Sequence, residues 1–98
     1  MVFNWFDATE AQQFGTALAT FYLSKLPLDA DRTEKKYENK KEFVTKKMLE
    51  QVGEFKLEHK LNIFKKAQLG NAFKWTLKEA GYADDEVNQL TGSLMRQL

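Results

Sequence analysis

The sequence predicts an all-α fold, a small bundle of four to five helices around one aromatic-rich core. Three observations carry that prediction. Apolar residues recur at helical spacing through most of the 98 residues. Leu, Lys, Glu and Gln, which favour helix, dominate the middle of the chain. No two stretches read as strands that could pair. Eight Phe, three Tyr and two Trp add large apolar areas to the Leu, Ile and Val set, so one core can close and intrinsic disorder is not expected.

The first helix is expected over residues 8–25. Asp7 stands three residues before Glu10, the spacing of a capping box in which the Asp7 carboxylate accepts from the Glu10 amide and Glu10 reaches back. Ala11, Phe14, Leu18, Phe21, Tyr22 and Leu26 then share a face, and Pro27 stops the run because it has no amide hydrogen. Phe6 is placed to fold over Ala11 as a hydrophobic staple. The small residues Gly15, Thr16, Ala17, Ala19 and Thr20 leave room for another helix to come close, inside the domain or from a second copy.

Residues 27–32 make a short polar connection, with Asp31 or Thr33 as the next cap. Beyond it, Tyr37, Val44, Met48, Val52, Phe55, His59 and Ile63 stay within half of a helix circumference. A helix running unbroken from Thr33 to Lys66 would be about 50 Å long, whereas a domain of this size has a radius of gyration near ~13 Å. The middle helix must therefore kink, break or project. Gly53, about 1 kcal/mol worse than alanine inside a helix, is the expected site of a break or kink, giving helices over residues 33–52 and 54–68. Between Glu54 and Asn62 the chain also alternates at the strand period, with Phe55, Leu57, His59 and Leu61 on one side. Helix is preferred there because Leu, Glu and Lys favour it and no partner strand exists.

Ile63, Phe64 and Ala67 point roughly opposite to Leu69, Ala72, Phe73, Thr76, Leu77 and Ala80, which predicts a stop and restart at Gly70-Asn71. Gly81 closes that helix, being the residue type that accepts a left-handed turn. Asp84 or Asp85 then caps a last helix running to about Gln97, with Val87, Leu90, Leu94 and Met95 facing inward. No repeat, low-complexity tract or linker interrupts the chain, so a single helical domain over residues 1–98 is expected.

Charge is unevenly spread. Residues 1–31 hold one Lys against four acids, and residues 32–66 hold ten Lys and one Arg against six Glu. The lysines Lys35, Lys36, Lys40, Lys41, Lys46 and Lys47 come in pairs, with Tyr37 and Phe43 between them, a pattern able to touch nucleic-acid phosphates. Against that reading stand a net charge of +1, only two arginines, and glutamates within a turn of every lysine cluster. A helix-turn-helix drawn over residues 71–98 is rejected, because Asp84, Asp85 and Glu86 would open its recognition helix and meet phosphate.

Chemistry-bearing groups are sparse. The chain has no cysteine, which excludes disulfides, thiolate ligands and cysteine nucleophiles. His59, the one histidine, lies in the apolar stripe, and Phe55, Lys56, Asn62 and Ile63 occupy the helical offsets where a carboxylate partner would stand. It is read as a half-buried core histidine. The five glycines are scattered singly, so no phosphate-cradling loop forms, and the acids do not match calcium-loop spacing. No catalytic residue, cofactor or metal is expected, and an enzyme is the least supported class.

No basic residue precedes the first apolar stretch, and no window approaches about 18 apolar residues, so a soluble, cytoplasmic chain away from membranes is expected. The aromatics Phe3, Trp5, Phe6 and Trp75 are expected to close the core, and any left exposed would form a partner surface. The favoured function is a protein–protein interaction or adaptor module, with self-association as one form of it. The alternative is a nucleic-acid-associated protein using the six lysines.

Overall fold

The computed structural model describes residues 7–27, 32–33 and 35–98. The described residues form four helices: α1 (Thr9–Lys25), α2 (Lys35–Glu58), α3 (Ile63–Ala80) and α4 (Asp84–Gln97). Among the described residues there is no strand.

Helix α1 begins one residue later than expected, and its cap differs from the capping box. Ala8 is the N-cap, and the Asp7 carboxylate accepts from the Thr9 amide at 3.2 Å instead of from Glu10. The Thr9 amide holds the Asp7 carboxyl below its ordinary range. The helix ends at Lys25, before Pro27, as its missing amide requires. The staple from Phe6 and the Asp31 cap lie outside the described residues.

Helix α2 corrects the expectation of a break at Gly53. The helix runs without interruption through that glycine, which is exposed, with no atom within 4 Å of where a Cβ would stand. The reason is energetic. Val44, Met48, Val52 and Phe55 form one buried stripe across it, and each such side chain contributes about 1.5–3 kcal/mol, more than the ~1 kcal/mol that glycine costs. The break falls later, at residues 59–62. His59 makes the last turn bond, its amide to Phe55 O at 2.9 Å, and Asn62 then caps α3 by accepting from the Lys65 amide at 2.8 Å.

The expected stop at Gly70-Asn71 is also corrected, since α3 is continuous from Ile63 to Ala80. Ile63 is 83% exposed and Ala67 lies on the surface. Ile63 and Ala67 belong to the outer face of one continuous helix, while Phe64 is half-buried against the core, so no restart is needed. At the other end Gly81 adopts φ 106°, and paired bonds from the Gly81 amide to Lys78 O and from the Tyr82 amide to Leu77 O close a Schellman turn, as the sequence predicts. Ala83, not Asp84 or Asp85, is the N-cap of α4, and the three acids fill its first turn, where the helix dipole favours negative charge. Val87, Leu90 and Leu94 are buried, while Met95 stays 38% exposed.

The helices form a closed ring in the order α1, α3, α4, α2, and the diagonal pairs α1/α4 and α2/α3 do not pack on each other. Directions follow from named contacts. The α1/α3 pair is parallel, with Gln12 bonded to Gln68 at 2.9 Å and Gly15 set against Leu69 and Ala72. The α1/α2 pair is antiparallel, with the Phe14 and Phe55 rings stacked 4.1 Å apart. Lys56 Nζ donates to Gln97 O at 2.7 Å at one end of the α2/α4 pair. Arg32, just before α2, pairs with Glu86 at 2.8 Å at the other.

Among the described residues the core is largely aliphatic, which corrects the expectation of an aromatic-rich centre. Leu18, Leu26, Met48, Leu69, Leu77, Val87 and Leu94 fill it together with Tyr22 and Phe73. The other buried aromatics, Tyr37, Phe55 and Tyr82, lie toward the two ends, and Phe43 and Trp75 stand outside.

Candidate functional site

Trp75 is 57% exposed on α3, although its size suits it to close the core. Its neighbours explain the placement. Phe73 and Leu77 flank it in sequence and are fully buried, and at 100° per residue a side chain midway between them faces away from the core. One turn before it Asn71 is exposed, and one turn after it Glu79 is exposed. Lys78 Nζ lies 5.3 Å from the ring centroid and also 3.7 Å from Asp84 Oδ1. A cation–π contact at an exposed site contributes about 0.5–1 kcal/mol, too little to replace the burial of an indole. Of the other aromatics read as a partner surface, Phe3, Trp5 and Phe6 lie outside the described residues.

The six lysines are brought onto one helix but not into one cationic face. Lys35, Lys36, Lys40, Lys46 and Lys47 are exposed and Lys41 is half-buried. A groove of about 610 Å³ runs along α2, and among the described residues Glu38, Glu42 and Glu50 line it together with Lys41 and Lys46. Lys47 lies 3.6 Å from Glu50 and 5.5 Å from the Phe43 ring centroid. The spacing of the glutamates places negative charge beside Lys41, Lys46 and Lys47.

His59 is half-buried, as the sequence predicts, but its carboxylate partner comes from a different helix. Its Nε2 stands 3.4 Å from Glu10 Oε2 of α1, and its Nδ1 lies 3.3 Å from Phe55 O. The imidazole also stacks on Phe55 at 4.2 Å, which in turn stacks on Phe14. Searching for an acid along the same helix missed Glu10, because the pairing depends on the antiparallel packing of α1 and α2. The ring lies at the edge of a cleft of about 270 Å³ whose polar lining includes Asp7, Glu10, Glu58, Lys60 and Lys65. Among the described residues no three His, Asp or Glu side chains converge as a metal site would require. No described helix is long and apolar enough to cross a membrane.

Comparison with known protein families, with curated proteins and with solved structures finds nothing that this chain matches.

Proposed function

We propose that this chain is a protein-binding module whose contact surface is built on Trp75 of α3. One observation carries the reading: the only described tryptophan is left 57% exposed on a continuous helix whose opposite side is fully buried. Tryptophan is among the residues that most often dominate binding energy, because a single rigid ring buries a large apolar area. Asn71, one turn away, and Lys78, over the ring, supply the polar rim that such contacts use.

The test places a photo-crosslinking residue at Asn71 and, as a control, at the exposed Asn88 of α4 in the cells that make the protein. The reading expects a discrete adduct from position 71 that is absent from position 88 and is lost in Trp75→Ala. An adduct of twice the chain mass identifies a second copy, and any other mass identifies a different partner. Identical adducts from both positions, or an adduct that survives Trp75→Ala, overturn the reading.

The exposure of Lys35, Lys36, Lys40, Lys46 and Lys47 supports a second reading, contact with nucleic-acid phosphates. The three glutamates in the α2 groove weigh against it. That reading requires retention on nucleic acid at about 50 mM salt, falling steeply as salt rises.

A further inference from the structure

Gly70 lies inside α3, where glycine is a poorer helix former than alanine. It lacks the positive φ of Gly81, so backbone freedom does not explain it. Its neighbour on α4 does. A Cβ built on Gly70 would stand 2.6 Å from the Met95 sulfur, 3.6 Å from the Met95 methyl carbon and 3.7 Å from its Cγ, and these are the three nearest atoms. The Met95 thioether therefore occupies the space that a side chain at Gly70 would need, and sulfur is the atom set closest against α3.

The two partners differ in exposure. Gly70 is buried, whereas Met95 is 38% exposed, so one side of the thioether chain packs on α3 and the other meets solvent. Met48, on α2, is fully buried in the core. Met1, the third methionine of the chain, lies outside the described residues. Oxidation of a thioether requires access to the sulfur, which the fold gives to Met95 and denies to Met48.

We propose that Met95 is a site of modification by peroxides, and that its sulfoxide loosens the end of α4 from α3. A lone pair of the Met95 sulfur attacks one oxygen of hydrogen peroxide and the O–O bond breaks. That oxygen stays on sulfur, its proton passes to the other oxygen, and water leaves. Sulfur loses two electrons and the peroxide gains them. The product is a larger, polar group in place of a flexible apolar one. Against Gly70 the space is already filled, so the sulfoxide has to turn toward water, and the contact that fills the glycine gap is withdrawn. Val87, Leu90 and Leu94 still anchor the rest of α4 in the core, which confines the change to its last turn. That turn also carries Gln97 O, which accepts from Lys56 of α2 at 2.7 Å, so the movement reaches the α2/α4 pair.

Treatment of the folded chain with dilute hydrogen peroxide tests the proposal, with peptide mass spectrometry following the oxygen added at each methionine. Met95 is expected to oxidise at least about tenfold faster than Met48. Urea unfolding of the oxidised chain should show the ratio of folded to unfolded molecules lowered about fivefold. Met95→Leu, a swap of similar volume at an exposed position, should keep its circular dichroism and lose the effect of peroxide on stability, which assigns the effect to this sulfur and not to Met1. Gly70→Ala is an independent variant: the new methyl displaces the thioether, so Met95 should oxidise faster and its oxidation should cost less stability. Equal oxidation of Met48 and Met95 in the folded chain, an oxidised chain as stable as the untreated one, or an undiminished peroxide effect in Met95→Leu overturns the proposal. So does a Met95 that oxidises no faster in Gly70→Ala than in the parent chain.

Discussion

The Arg32 guanidinium lies 5.6 Å from the Tyr37 ring centroid and 5.5 Å from that of Tyr82, and it donates to Glu86 at 2.8 Å. Tyr22 packs edge-on against Tyr82, whose hydroxyl donates to Leu26 O at 2.5 Å. These are all three tyrosines of the chain. Burial raises the phenol pKa of each, most strongly at Tyr22 and to about 12 at Tyr82. The sign follows directly. Below the ordinary phenol value near ~10, folded and unfolded chains are both protonated, so no stability is lost. Above it the unfolded chain releases protons that the folded chain keeps. Stability therefore falls as pH rises from about 10 toward 12. Denaturation midpoints measured across this window, together with tyrosinate absorbance, should show all three phenols ionising with unfolding. Ionisation near pH ~10 in a chain that stays folded would contradict the packing. The sequence shows each of these residues but not the cluster, because Tyr22, Tyr37, Tyr82 and Glu86 come from separate parts of the chain. Glu10 and His59 were missed as a pair for the same reason.

Two glycines on different helices have opposite roles, and only one was recognisable from sequence. Gly15, in the run of small residues on α1, permits the close approach of α3: a Cβ there would drive into the Leu69 carbonyl oxygen and crowd the Ala72 Cβ. Gly53 has open space where its Cβ would be and helical neighbours on both sides. Gly15→Ala should therefore destabilise the fold by about 2–3 kcal/mol by forcing α1 and α3 apart. Gly53→Ala should stabilise it by about 0.5–1 kcal/mol. Urea unfolding of the two variants checks both signs, and a stabilised Gly15→Ala or a destabilised Gly53→Ala would show that the helix crossing or the continuity of α2 is misplaced. Local propensity marked Gly53 as a weak point, but the buried stripe from Val44 to Phe55 decides the outcome. The true break at residues 59–62 carried a signal in Asn62, a good N-cap residue directly before Ile63. Strict alternation over Phe55, Leu57, His59 and Leu61 obscured it, and Leu57 proves to be on the surface.

At the scale of the whole molecule, the all-α class, the first and last helices and the Gly81 turn were legible because they depend on periodicity and on the stop signals Pro27 and Gly81, whereas both predicted N-caps were misplaced. Ring order was not. Placing α2 and α3 on a diagonal depends on which faces meet, and the apolar phase of α3 was ambiguous until Ile63 and Ala67 were seen to face outward. Candidate surfaces follow the same division: Trp75 and the six lysines could be named from sequence, whereas their exposure and the glutamates beside them required the fold. The ring leaves Trp75 exposed on one flank of α3. The most direct test is the fluorescence of Trp75 in a Trp5→Phe variant, followed at high dilution. The account predicts red-shifted emission and ready quenching by acrylamide in the folded monomer. Blue emission protected from quencher under those conditions would mean that the chain covers the ring itself, and the proposed binding surface would not exist.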